Sequence, residues 1–189
     1  MLRIVNLEEV EGLLLALPAI VQVQESGSGD FPDRVDAWLV QLEKVLAANR
    51  LFQAGSIAAL RSAAVAATTG SVPLGLQMRG TPTQRRFLFM VASHVLQRAS
   101  EIASGLVAEN KPRLADGERV AQQLVAVAHA RGLVTPRQAG IDNTHYLRAL
   151  RRSLAASQDL ESAVVHLEGL VGVHDSLVLI DRALVLASR

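Results

Sequence analysis

Between Val35 and Leu46 the apolar residues Val35, Leu39, Leu42 and Leu46 recur at helical spacing, with Trp38 and Val45 beside them and polar residues between. Spacings of four, three and four lay these side chains along one face of an α-helix. The pattern predicts a helix over about Pro32–Asn49. Leu88, Val91, Val95, Ala99, Ile102 and Leu106 align in the same way on a helix that opens at Thr81–Pro82 and runs to about Glu109. Proline suits its first position, where no N–H partner is needed. Lys111–Pro112 is expected to close it, and Asp116 to cap a further helix ending near Gly132. Leu147, Leu150 and Leu154 mark another from about Thr144 to Ser157.

The ends of the chain read less regularly. Asn6 followed by Glu9 has the spacing of a capping box, predicting a first helix from Leu7 that Pro18 kinks or ends. Gln24–Pro32 and Thr68–Gly80 are rich in glycine and proline and read as loops. Between them, Ser56–Ala67 is an alanine-rich helix with small side chains nearly all round. At the other end, Leu160–Ala187 reads as one long, mostly apolar helix. Its phase does not continue that of the leucines before Ser157, so a break is expected at Ser157–Asp159.

Six or seven helices on moderate loops predict an all-α, antiparallel helical bundle. The 189 residues suffice for a single helical domain over 1–189. The loop at Thr68–Gly80 offers a subdivision into an N-terminal helical hairpin region, 1–70, and a C-terminal four-helix unit, 81–189.

Composition narrows the function classes. Half of the residues are apolar, yet no uncharged run reaches the ~18 residues of a membrane span. Glu8, Glu9 and Glu11 stand where a secretory signal would carry basic residues. Cysteine is absent, which removes thiolate chemistry and disulfides and fits a reducing, cytoplasmic setting. A net charge of +1 gives no global field for nucleic acid or a membrane. There is no phosphate-cradling glycine loop, no nucleophile elbow, no His-Glu-x-x-His and no Glu-x-x-His, so the sequence leans away from an enzyme and calls for no cofactor.

Three groups of polar residues are candidates for chemistry. On a continuous last helix, Glu161, Glu168, Asp175 and Arg182 form a wetted stripe. His166, His174 and Asp181 then face inward among Leu170, Val173, Leu177 and Leu184, as a ligand or metal cluster whose Asp181 needs a partner from another helix. Arg85 and Arg86, with Arg79 nearby, sit at a helix start and could hold an anion; Arg148, Arg151 and Arg152 form a second arginine group. Finally, Ala139-Gly140-Ile141 followed by Tyr146 and Ala149 resembles a helix-turn-helix, in which Thr144, His145, Arg148 and Arg152 would face the groove.

The leading expectation is a non-catalytic helical interaction module that binds another protein or, by self-association, a second copy. It rests on Ser56–Ala67 and Leu160–Ala187, each apolar over most of its circumference. The alternative is a small-ligand or metal-binding bundle around His166, His174 and Asp181. A third reading is a DNA-binding regulator using Thr144–Arg152.

Overall fold

The computed structural model describes residues 3–77, 80–135, 140 and 142–187. Helix accounts for 79% of it, with no strand among the described residues, so the all-α class is observed. The helices are α1 (Ile4–Leu15), α2 (Leu17–Glu25), α3 (Phe31–Ala48), α4 (Gln53–Ala67), α5 (Gln84–Ala130), α6 (Asn143–Ala155), α7 (Glu161–Val171) and α8 (Val173–Ala187). No helix among the described residues is long and apolar enough to cross a membrane.

The chain divides into two compact units, Met1–Glu109 and Asn110–Arg189. The division falls inside α5 beside Pro112, not in the loop at Thr68–Gly80. That loop is internal to the first unit, because the early turns of α5 join its core. The ring of Phe89 on α5 lies 4.7 Å from that of Phe31 on α3, and Gln24 on α2 donates to the Ser93 hydroxyl at 2.9 Å.

In the first unit α3 is the central element. It buries Phe31, Val35, Trp38, Leu39, Leu42 and Leu46, and α1, α2 and α4 all pack on it. The expected stripe is therefore its core face. α1 adds Ile4, Leu7 and Val10, α4 adds Ile57, and α5 adds Phe87, Val91 and Val95. The Trp38 indole N–H donates at 2.8 Å to the Leu13 carbonyl in the last turn of α1, which also accepts the Ala16 backbone N–H at 3.2 Å, and so ties α3 to the end of α1.

The second unit packs Ala121, Leu124, Val125 and Ala128 of α5 with Leu147, Leu150 and Leu154 of α6, Val164, Leu167 and Val171 of α7, and Leu179, Ile180 and Ala183 of α8. α5 comes close to α7 and α8 at Gly117, which is buried. A Cβ there would stand 2.7 Å from Val171 Cγ1 and 3.0 Å from Leu179 Cδ1.

Several boundaries differ from the sequence reading, each for a local reason. The first helix begins at Ile4, so Asn6 lies inside it and caps nothing; its side-chain amide donates to Asn49 Oδ1, and Asn49 in turn donates to the Val45 carbonyl at 2.7 Å. Pro18 does divide the N-terminal segment, as the second residue of α2. Helix continues through Lys111–Pro112. A proline removes one N–H and crowds one carbonyl, and strong helix formers such as Ala108, Arg113, Leu114 and Ala115 carry the helix past it. Asp116 is accordingly mid-helix, paired with Arg119 at 3.0 Å. The break expected at Ser157–Asp159 separates α6 from α7. The long C-terminal helix is two, divided at Gly172, whose φ of 86° and ψ of 158° belong to no helix.

Candidate functional site

The break at Gly172 re-aims everything after it. On α7 the buried residues are Val164, Leu167 and Val171, and His166 lies exposed on the opposite side. On α8 they are Asp175, Ser176, Leu177, Leu179, Ile180 and Ala183, and His174 is exposed. The inward placement of His166, His174 and Asp181 is thus corrected: both histidines face out and Asp181 is half-buried. The supposed wetted stripe turns partly inward instead. Asp175 is buried in the first turn of α8, where the helix dipole favours a carboxylate. Glu168 is half-buried and receives two hydrogen bonds from Arg151, one from Nε and one from Nη2, the latter at 2.9 Å. The segment is apolar nearly all round, so periodicity had no unique face to choose.

Asp181 does find a partner on another helix, but it is an amide: Asn143 Nδ2, the first residue of α6, donates at 3.2 Å. Among the described residues no three His, Asp or Glu side chains gather closely enough to hold a metal ion. The three sequence candidates therefore do not form a metal cluster.

The fold does bring one of them, His174, to a different set. α6 opens at Asp142, whose carboxylate accepts the backbone N–H of His145 at 3.1 Å as an N-cap. From that start, His145, Arg148, Arg151 and Arg152 recur at intervals of three and four and share one face. Opposite them stands the first turn of α8. Between the two helices is a concavity of about 570 Å³ lined by His145, Arg148, Arg151, Arg152, Val173, His174 and Leu177. Three guanidinium groups and two imidazoles meet there over two apolar side chains, and no carboxylate lines it.

The arginines are not equivalent. Arg151 is held by the Glu168 fork, whose hydrogen bonds raise its already high pKa, so its charge is permanent and locally balanced. Arg148 and Arg152 are exposed and have no acidic partner among the described residues. Arg152 Nε donates to the Arg148 carbonyl at 3.3 Å, which keeps its side chain along the helix. Glu168→Ala is expected to lower stability by about 1–2 kcal/mol in urea unfolding, because it strands the half-buried Arg151 cation.

The remaining candidates are scattered. Arg85 and Arg86 are exposed at the start of α5; Arg85 Nη2 donates to the Gly27 carbonyl at 3.2 Å, and the Arg86 backbone N–H donates to Thr83 Oγ1 at 3.4 Å. Arg79 lies outside the described residues. So do Ala139 and Ile141 of the turn that resembles a helix-turn-helix, of which Gly140 is described with a φ of 90°. Thr144 is exposed beside His145 but does not line the concavity. The first unit has an apolar cleft of similar size, where Leu17, Val21, Phe89 and Met90 surround Gln24, Ser93 and His94. Sequence reading missed the α6–α8 concavity as a whole. The spacing of His145, Arg148, Arg151 and Arg152 signals the α6 face, and nothing in sequence signals that His174 joins it.

Known protein families, curated proteins and solved structures offer no match to this chain.

Proposed function

We propose that this protein is a non-catalytic helical interaction module that pairs with a second copy of itself through α4. The supporting observation is the outward face of that helix. α4 buries only Ile57 and Ala67. Its exposed positions are Gly55, Ser56, Ala59, Ser62 and Val65, and Phe52 just before it is 83% exposed. None of these positions carries a charge. The one charged residue of α4, Arg61, borders the face beside Ser62 and Val65 and is paired with Glu43 at 2.6 Å and Asp36 at 3.3 Å.

The solvent face of a surface helix ordinarily carries charged side chains. An uncharged face of small residues suits a second helix at short interaxial distance. A two-fold contact lays the same strip on both sides, so a single uncharged face serves both partners.

Sedimentation equilibrium tests the reading. The wild type is expected to dimerise at micromolar concentration, and Ala59→Arg to weaken the dimer at least about tenfold, by placing a charge in a dry contact, with its helical circular dichroism unchanged. A wild type that stays monomeric to about 100 μM, or an Ala59→Arg dimer as tight as the wild type, would refute it.

A further inference from the structure

We infer that the concavity between α6 and α8 binds a small organic phosphate: a dianionic phosphoryl group attached to a compact apolar or planar body. This site is independent of pairing through α4.

The charge pattern names the phosphoryl end. Arg148 and Arg152, neither with an acidic partner among the described residues, line the same space, and His145 and His174 add imidazole groups from two helices. A guanidinium donates two parallel hydrogen bonds to phosphate oxygens, and a tetrahedral dianion can accept from several such groups at once. His174 and Val173 belong to the first turn of α8, so the partial positive charge of that helix start lies on the wall of the concavity. Asp175 shares the turn but is buried on its other side and does not line the space. Glu168, the carboxylate engaged from this face of α6, is already occupied by Arg151. With Arg151 balanced by Glu168, Arg148 and Arg152 remain as like charges at i, i+4, an arrangement that costs a little free energy and that a bound dianion relieves.

Shape names the rest of the ligand. Leu177 is buried at the base and Val173 is 53% exposed at the wall, giving an apolar surface beside the cations. About 570 Å³ lies within the range of small-molecule sites. A nucleic-acid backbone would need a longer basic track, and the chain as a whole has a net charge of only +1.

Phenyl phosphate is the probe, followed by backbone and side-chain NMR of the full-length protein. Saturable shifts are expected at His145, Arg148, Arg152, His174 and Leu177, with a Kd of about 1 mM or tighter. Inorganic phosphate should bind more weakly at the same residues, since it lacks the body that meets Val173 and Leu177. The double variant Arg148→Gln/Arg152→Gln should lose at least about tenfold in affinity while keeping the wild-type melting curve, both residues being exposed. Arg85→Gln/Arg86→Gln should bind as the wild type does. Absence of saturable shifts at about 10 mM probe, equal loss in the two double variants, or tighter binding of duplex DNA at physiological salt through the same residues would each overturn the assignment.

Discussion

Trp38→Ala is expected to lower the stability of the first unit by about 3–5 kcal/mol, the largest effect of any single truncation named here. Trp38 is 4% exposed and sits mid-way along α3, the helix on which α1, α2 and α4 pack. Removing the indole leaves a cavity at a buried position of the central helix. It also withdraws the hydrogen bond to the Leu13 carbonyl, at the place where α1 ends and Pro18 turns the chain into α2. The two contributions separate experimentally. Trp38→Phe keeps most of the volume and loses the donor, and is expected to cost about 1–2 kcal/mol. Urea unfolding followed by circular dichroism reads both. A loss below about 1 kcal/mol for Trp38→Ala would mean that α1 does not dock on α3 in solution.

The same helix shows why part of this fold is legible in sequence. In α3, Asp36, Gln41, Glu43 and Lys44 alternate with the apolar stripe, so only one face can be buried and periodicity identifies it. α6 is equally plain, with Leu147, Leu150 and Leu154 set against four basic or imidazole side chains. The last two helices differ. Val165, Val173, Val185 and Leu186 are more than half exposed while Asp175 and Ser176 are buried. Where nearly every position is apolar, hydrophobicity ceases to mark the inside, and a polar residue inside needs only local satisfaction, as when Ser176 Oγ donates to the Val173 carbonyl at 2.8 Å.

The candidate site divides along the same line. Its α6 half follows from spacing within one helix, whereas its α8 half depends on how two helices meet after an interruption. A count at 100° per residue carried across Gly172 places His174 in the core; the structure places it on the wall of a basic concavity. Likewise Pro112 is a strong local signal for a helix end, and here it marks the boundary between two compact units within one helix.

Gly172 therefore carries the second large expectation. Its φ of 86° with ψ of 158° lies in a region open to glycine and nearly closed to L side chains, while a Cβ at this position would meet nothing within 4 Å. Gly172→Ala tests backbone strain with no steric contribution and is expected to cost about 1–3 kcal/mol. Gly169, three residues earlier inside α7, is the matched control. It is exposed, its Cβ would also meet nothing, and Gly169→Ala should stabilise by up to about 1 kcal/mol through helix propensity. The two substitutions remove the same freedom from the unfolded chain, so their difference of about 1–4 kcal/mol reports the conformation of residue 172. Gly172→Ala also bears on the concavity. A chain that relieves the strain by continuing α7 would rotate α8 and carry His174 away from Arg148 and Arg152. Loss of phenyl phosphate binding in a Gly172→Ala protein that remains folded is the expected companion result. Equal melting temperatures for the two alanine variants would instead mean that α7 and α8 form one uninterrupted helix in solution, and that His174 stands where the unbroken count puts it.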